Sequence, residues 1–381
     1  MNIAIDIRCL MNPNYSGVAQ YTYNLLDQLF KLDKENQYKL FYNSGQDISK
    51  NLPKFEHANV EFYGFKYPNK LLNSAFLFLN YPEIEKMING CNLFFIPNPN
   101  FCALAGTTKK VLTVHDLSFE LYPQFFSLKQ KLWHKFIRPR HLISRSDKVI
   151  ADSINTKNDL QNRYKIPAEK ITVIYPGINH EIYQPMERSH PKLLSIIEKY
   201  QLPAKFILYL GTIEPRKNIG GIIEAFNRAK AENSSLAGLN LVIAGDKGWK
   251  FKNVFTTAEK SPYTDQISFL GYIPESDKSY LYNLAELFIF PSYYEGFGLP
   301  VLEAQACGIP VIAGLNSSFP EVLADSAILV NPDNLSEIAW AITQILNNPA
   351  LKQTLIDNSL KNSQRFSWQT CARETLNYLL S

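Results

Sequence analysis

"AELFIFPSYYEGFGLPVLEAQACGIPVIAG", residues 285–314, decides the fold of the second half of the chain. Its opening run, "AELFIFPS", is apolar without alternation, as in a strand buried on both faces. "LPVLEAQACG" follows with helical character: Pro300 suits the first helical position and Gly308 the residue just past the end. "IPVIAG" (309–314) is the next apolar strand. Strand, glycine-bearing turn, helix and strand form one βαβ unit of a parallel sheet.

The turn reads Glu295-Gly296-Phe297-Gly298-Leu299. Glycines let a backbone approach a ligand closely, and the first amides of a helix are unpaired, with the positive dipole end behind them. At the carboxyl end of a sheet strand this makes a seat for a phosphate or a polyhydroxyl group. Glu303, eight positions after Glu295, falls early in the helix and faces the same crevice. A carboxylate repels phosphate but accepts hydrogen bonds from a diol. The two glutamates therefore read as hydroxyl clamps beside a phosphate seat, with a sugar nucleotide as ligand. The same residues also fit a plain strand–turn–helix carrying two surface glutamates.

Outward from this unit, short apolar runs alternate with helical patterns along most of the chain. "NIAID" (2–6) reads as a first strand and "GVAQYTYNLLDQLFKL" (17–32) as a helix. "YKLFYN", "NVEFYGF", "NLFFIP", "KKVLTVHD", "DKVIADS" and "ITVIYPG" continue the strand series. The pattern pauses over residues 178–203, a polar stretch with three prolines. A second cycle opens at "KFILYLG" (205–211) and runs through "LNLVIAGD", "QISFLGYI" and "SAILV". Such alternation predicts two doubly wound parallel α/β domains. We place the first at residues 1–185 and the second at 186–364, with a terminal helix over 365–381.

The bulk properties agree. A chain of 381 residues is the length of two ordinary domains, and 46% hydrophobic content supplies their cores. A net charge of +4 is too small to imply nucleic acid; it suits an anionic ligand and an anionic membrane surface equally. Five widely spaced cysteines, with no C-x-x-C, argue against a disulfide framework or zinc site and for a reducing cytoplasm. "MNIAIDIRCL" carries Asp6 within its apolar run and has no basic leader, so no signal peptide is expected. No apolar run approaches the roughly 20 residues of a spanning helix. The expected setting is cytoplasmic, or peripheral at the inner face of a membrane.

"LYLGTIEPRKNIGGIIEAF" (208–226) is the second chemical stretch. Arg216 and Lys217 stand just before a helix predicted to begin near Asn218 or Ile219. Two cations at a helix N-terminus oppose its dipole, and an anion relieves the conflict. A diphosphate would do so, with Arg216 forking onto two oxygens and Lys217 acting as a point charge. A solvated charged loop is the competing interpretation.

"EGFGLPVLE" resembles the E-x7-E signature of the retaining glycosyltransferases of family GT4, and "LGTIEPRKN" resembles their donor-diphosphate segment. The similarity extends to "GVAQYTYNLL" and "TVHDLSFELYP", and so over essentially the whole chain. It implies the GT-B fold, two Rossmann-like domains facing across a cleft. The second domain would bind a nucleotide diphosphate sugar and the first would present a glycan or lipid-linked acceptor. By resemblance, His115 is the active-site histidine near the donor sugar, and Ser16 and Gly17 form the small-residue loop beside the diphosphate. Tyr272 and Ile273 lie in the segment whose backbone reads the base. Thr212 stands where many members carry an arginine, which leaves more of the neutralisation to Arg216. Catalysis is expected from His115, Arg216, Lys217 and Glu295, and donor binding from Gly296, Phe297, Gly298, Leu299 and Glu303 as well.

No D-x-D triplet occurs, so no cofactor and no metal are expected. The resemblance is nearest to bacterial mannosyl- and rhamnosyltransferases of polysaccharide assembly, which implies GDP-mannose as donor. A GT-B epimerase acting on UDP-GlcNAc and a catalytically silent sugar-nucleotide-binding subunit are the alternatives. The first would need carboxylates near the donor C2, and the intact charged set counts against the second. Residues 119–148 mix aromatics with Lys, Arg and His, as do both interfacial membrane helices and ordinary helices with a charged face.

Overall fold

A computed structural model describes residues 1–13, 15–48 and 51–381. Both sheets are wholly parallel. The first has seven strands: β1 (Asn2–Asp6), β2 (Gln37–Asn43), β3 (Val60–Phe65), β4 (Leu93–Ile96), β5 (Lys109–Val114), β6 (Lys148–Ala151) and β7 (Ile171–Val173). Their spatial order is β3-β2-β1-β4-β5-β6-β7. The second has six: β8 (Phe206–Leu210), β9 (Asn240–Ala244), β10 (Ile267–Gly271), β11 (Leu287–Phe290), β12 (Val311–Gly314) and β13 (Ile328–Val330). Their order is β10-β9-β8-β11-β12-β13.

The continuous apolar strands are explained by this arrangement. Every residue of β4, β8, β11 and β12 is buried, because helices connect successive strands across both faces. In the first sheet, Phe41, Phe94, Leu112 and Val149 share one core with Leu72, Phe76 and Leu160 from covering helices.

The order also fixes where loops part. In the first sheet the winding reverses between β1 and β4; in the second it reverses between β8 and β11. At such a switch point the loops leaving two adjacent strands run to opposite faces, opening a crevice beyond their carboxyl ends.

The chain divides into two compact units. One comprises Met1–Leu121, Leu128–Gly177 and Trp368–Ser381; the other comprises Tyr122–Ser127 and Ile178–Ser367. Two groupings have physical causes. Trp249 donates its indole N–H to the Phe125 carbonyl at 2.6 Å and stacks on Phe126, which ties Tyr122–Ser127 into the second unit. The Trp368–Leu380 helix belongs to the first: Tyr378 donates to the Lys170 carbonyl at 2.8 Å, and Lys148 to the Tyr378 carbonyl at 2.7 Å.

Local differences from the sequence pattern are small. The polar pause contains a helix, Pro191–Tyr200, opened by Pro191 and by the His190 side chain accepting from Lys192 N. The helix after the glycine turn starts one residue early, at Leu299, with Pro300 second. Gly308 adopts φ +72° just past its end, the left-handed stop its position implies.

Candidate active site

The loops at the second switch point carry the charged residues. After β8 the chain makes a short 3-10 turn, Pro215–Lys217, and Asn218 in left-handed conformation leads into the Ile219–Glu232 helix. After β11 comes the glycine turn, Gly298 preceding the Leu299–Ala306 helix. The two loops are joined along their backbones, Tyr293 N donating to the Arg216 carbonyl at 2.9 Å.

The side chains complete the join. Glu295 Oε1 accepts from Lys217 Nζ at 2.6 Å, and its Oε2 lies 3.1 Å from Arg216 Nη1. The other arm of Arg216 reaches Glu214 Oε1 at 2.8 Å. Lys217 Nζ also sits 4.9 Å from the centre of the Phe290 ring. These are inner groups, with side chains of Arg216, Lys217 and Glu295 only 13%, 12% and 9% exposed. Two cations and two carboxylates thus form a nearly buried, charge-balanced quartet. The fork that the sequence assigns to two phosphate oxygens rests here on Glu214 and Glu295.

Burial opposes ionisation of Glu295, but attraction to Arg216 and Lys217 outweighs it and holds the carboxyl below its usual range. Lys217 moves down as well: burial is the larger cause, Arg216 beside it the next, and Glu295 and Glu214 only partly restore it.

The glycine turn is held from behind. A Cβ on Gly298 (φ +94°) would come within 2.5 Å of Phe319 Cε1, so both backbone and packing require glycine. Ser317 Oγ accepts from Glu295 N at 3.0 Å. Ser318 Oγ donates toward the Glu295 and Phe297 carbonyls, each at 3.1 Å, and Phe297 packs edge-on against Phe366. The "NSSFPEVL" segment after β12 is therefore the brace of the turn.

Glu303 belongs to a different group from Glu295. It is buried and accepts from Tyr282 OH at 2.8 Å. Near it Lys278 pairs with Glu275 at 2.6 Å, and Tyr183 donates to Glu275 at 2.5 Å. Burial raises the Glu303 carboxyl above its usual range; Lys278 and Tyr282 offset this only in part, and Glu275 adds to it. Of Tyr272 and Ile273, which the sequence resemblance assigns to the base-reading segment, Ile273 is buried and Tyr272 is 43% exposed. Thr212 accepts from Tyr209 OH through its carbonyl at 3.0 Å.

In the first unit, His115 follows β5. Its Nδ1 lies 2.5 Å from Asp152 Oδ2 and its Nε2 2.9 Å from the Pro97 carbonyl. Both partners are acceptors, so the ring carries a proton on each nitrogen when Asp152 is ionised. Burial works against that charge, yet Asp152 outweighs it and the pKa is raised. Tyr21 closes the ring from the side, edge-on at 4.8 Å. Both ring nitrogens are thus engaged within the protein. Asp116 caps the next turn, accepting from Ser118 N at 2.8 Å. Ser16 precedes the Gly17–Leu32 helix and offers it no side-chain cap. A Cβ on Gly17 would meet nothing within 4 Å, so packing does not require its smallness.

Four residues the sequence did not single out matter to this geometry: Glu214, Lys278, Tyr282 and Asp152. Glu214 is the one with a local signal, since it stands two positions before Arg216. The other three become visible only when distant segments meet.

Against known families, residues 195–362 match the model of "Glycosyl transferases group 1" and residues 15–182 that of "Glycosyltransferase Family 4". The chain belongs to the family 4 glycosyltransferases. The glycosyltransferase is 27% identical to O-antigen chain mannosyltransferase B of Escherichia coli over 95% of both chains. It is 31% identical to the E. coli serotype-specific mannosyltransferase WbdA over 69% of its own length, and spans only 32% of that larger protein. Among solved structures, sucrose-phosphate synthase from Thermosynechococcus elongatus superposes with a TM-score of 0.76 at 21% identity, over 99% of this chain and 98% of that one. Anabaena HepE in complex with UDP and glucose also gives 0.76, at 19% identity, over 100% and 99%. The fold is GT-B, as the sequence implies.

Proposed function

We propose that this glycosyltransferase moves a hexose, with mannose from GDP-mannose the best match, to a hydroxyl of a glycan or lipid-linked acceptor, with retention of anomeric configuration and without a metal. The Arg216–Lys217–Glu295 cluster beyond β8 and β11 carries this proposal. The mannosyltransferase relatives support the choice of sugar, and the UDP and glucose of the HepE complex support a nucleotide diphosphate sugar as donor class.

As the anomeric C–O bond breaks, the leaving diphosphate gathers negative charge. Arg216 and Lys217 meet that charge best in the transition state, which is where binding accelerates a reaction. Glu295 keeps lone pairs for a sugar hydroxyl while it holds both cations, so sugar position and diphosphate neutralisation are coupled through one carboxylate. Glu303 takes the ribose diol. No side chain stands out as an acceptor base, and the leaving phosphate oxygen fills that role. Incubation with a panel of nucleotide sugars, with nucleoside diphosphate release as readout, tests the donor. Release from none of them rejects the reading. NMR of the new linkage tests retention, and an inverted product rejects it. Turnover abolished by EDTA and restored by Mg²⁺ or Mn²⁺ rejects metal independence.

The acceptor surface includes contact with an anionic membrane. In the first unit, Leu128, Leu132, Trp133 and Phe136 are 79%, 54%, 42% and 48% exposed on the Leu128–Ile137 helix. Residues 128–145 hold six Lys and Arg and no Asp or Glu. Exposed apolar side chains among uncompensated cations are the signature of an interfacial helix. No described helix is long and apolar enough to cross a membrane. Sedimentation with anionic vesicles but not with neutral ones, weakened by salt, is the expected result; equal behaviour with both rejects the contact.

A further inference from the structure

The Glu275–Leu284 helix carries Glu275, Lys278 and Tyr282 at spacings of three and four, so the three share one face. That face meets Glu303 of the Leu299–Ala306 helix, where Tyr282 OH donates to Glu303 Oε2 at 2.8 Å. Tyr183 is also close, but its one proton goes to Glu275 at 2.5 Å. Tyr282 is therefore the neutral donor that serves Glu303.

Tyr282 is fully buried, and its ring packs edge-on against Phe288 of β11 at 5.3 Å and against Tyr183 at 6.1 Å. Phenylalanine would fill such a space equally well, as it does at Phe288 and Phe290. The hydroxyl is what packing leaves unexplained, and its hydrogen bond goes to Glu303. Burial, and then the charge of Glu303, push the phenol well above its usual range, so it remains a donor near neutral pH.

A buried carboxylate needs such a donor. Ionised, it offers only acceptors, which suits a diol presenting two O–H donors. Protonation puts a competing O–H on one oxygen and removes the charge that strengthens both bonds. Burial favours the protonated form of Glu303, Lys278 opposes it, Glu275 adds to it and the Tyr282 hydroxyl opposes it. The other charges around this pair of helices are turned elsewhere. Asp277 is held by Lys199 at 2.6 Å, Lys352 by Glu286 at 2.6 Å and Asp357 by Gln353 at 2.8 Å. Lys361 is exposed, and burial keeps Cys307 a neutral thiol.

We infer that Tyr282 is a positioning residue of the donor site: it aims the Glu303 carboxylate and donates the hydrogen bond that keeps it a pure acceptor for the ribose diol. This role rests on Glu303 taking the ribose. It gives nucleotide binding a pH dependence of known sign. The diol's share of the affinity needs the ionised carboxyl, so it is full on the alkaline side and is lost as pH falls through the Glu303 titration.

Calorimetry on the full chain compares GDP with 2′,3′-dideoxy-GDP, which keeps the base and diphosphate and lacks the diol, from mildly acidic to mildly alkaline pH. The UDP pair runs in parallel. The ratio of the two affinities separates the diol from the titration of the phosphates, and in wild type it should fall toward acid. Tyr282→Phe should lower the ratio about tenfold at neutral pH and move its midpoint up by about one pH unit. Tyr280→Phe, on the same helix but stacked on His190, should leave it unchanged. In a Glu303→Gln background, Tyr282→Phe should add nothing. Lys278→Met should move the midpoint the same way, and this arm does not depend on the Tyr282 variant folding. A wild-type profile in Tyr282→Phe, an equal loss for both nucleotides, a further loss in the Glu303→Gln background or an unmoved midpoint in Lys278→Met overturns the positioning role. Wild type binding GDP and dideoxy-GDP equally rejects the ribose contact of Glu303 and the role of Tyr282 with it. Wild type binding neither pair rejects the donor reading as a whole.

Discussion

Glu295→Gln is the most informative single change, because three properties should move in different directions. Glutamine keeps the shape of glutamate and removes its charge. The wild-type quartet is balanced, and the variant holds Arg216 and Lys217 against Glu214 alone. Breaking a nearly buried ion pair from one side costs about 3–5 kcal/mol. At roughly 2–4 °C per kcal/mol for a unit of this size, the second unit's Tm should fall on the order of 10 °C. Nucleoside diphosphate affinity should hold or rise, since the released cations gain an anionic partner. Transfer should nevertheless collapse by about 100-fold or more, because the sugar loses its positioning carboxylate. Calorimetric titration with GDP and UDP, a thermal melt and nucleoside diphosphate release measure the three. Lost nucleotide affinity would refute the reasoning, since Glu295 would then lie on the nucleotide and not the sugar. Unchanged turnover would refute it as directly.

Lys217→Ala should slow transfer by about 3 kcal/mol, roughly 100-fold, and Arg216→Ala by at least as much because Thr212 brings no charge; a wild-type rate for the Arg216 variant in the release assay means the diphosphate sits elsewhere. Glu303→Ala should weaken free nucleoside diphosphate by about 1–3 kcal/mol and raise KM more than it lowers kcat, read by calorimetry and initial rates. His115 should titrate above the usual histidine value of about 6.5 in wild type, and lower than that wild-type value in Asp152→Asn, where only the Pro97 carbonyl and Asp116 still oppose burial; NMR of the ring proton measures both. Because the folded pKa is raised, the pair's contribution to stability is full below the unfolded pKa and is lost as pH rises through the folded one, so wild type and Asp152→Asn should converge in Tm on the alkaline side.

Much of the fold was present in local pattern. Continuous apolar runs marked the buried strands, and "GVAQYTYNLLDQLFKL" matched the observed Gly17–Leu32 helix residue for residue. The glycine turn, the left-handed stop at Gly308 and the helix start after Asn218 follow from steric rules that act within a few residues. These determined two doubly wound domains and put Arg216, Lys217 and Glu295 on carboxyl-end loops.

The partners of those residues were another matter. Lys217 meets Glu295 across 78 positions because β8 lies beside β11, an order set by how two sets of helices cover one sheet. His115 meets Asp152 across 37 positions through the adjacency of β5 and β6. Glu303 looked like a neighbour of Glu295, yet it turns to Tyr282. Periodicity and turn chemistry are local, so the sequence alone determined them. Burial and charge pairing depend on which strands become neighbours, and only the tertiary structure decided that.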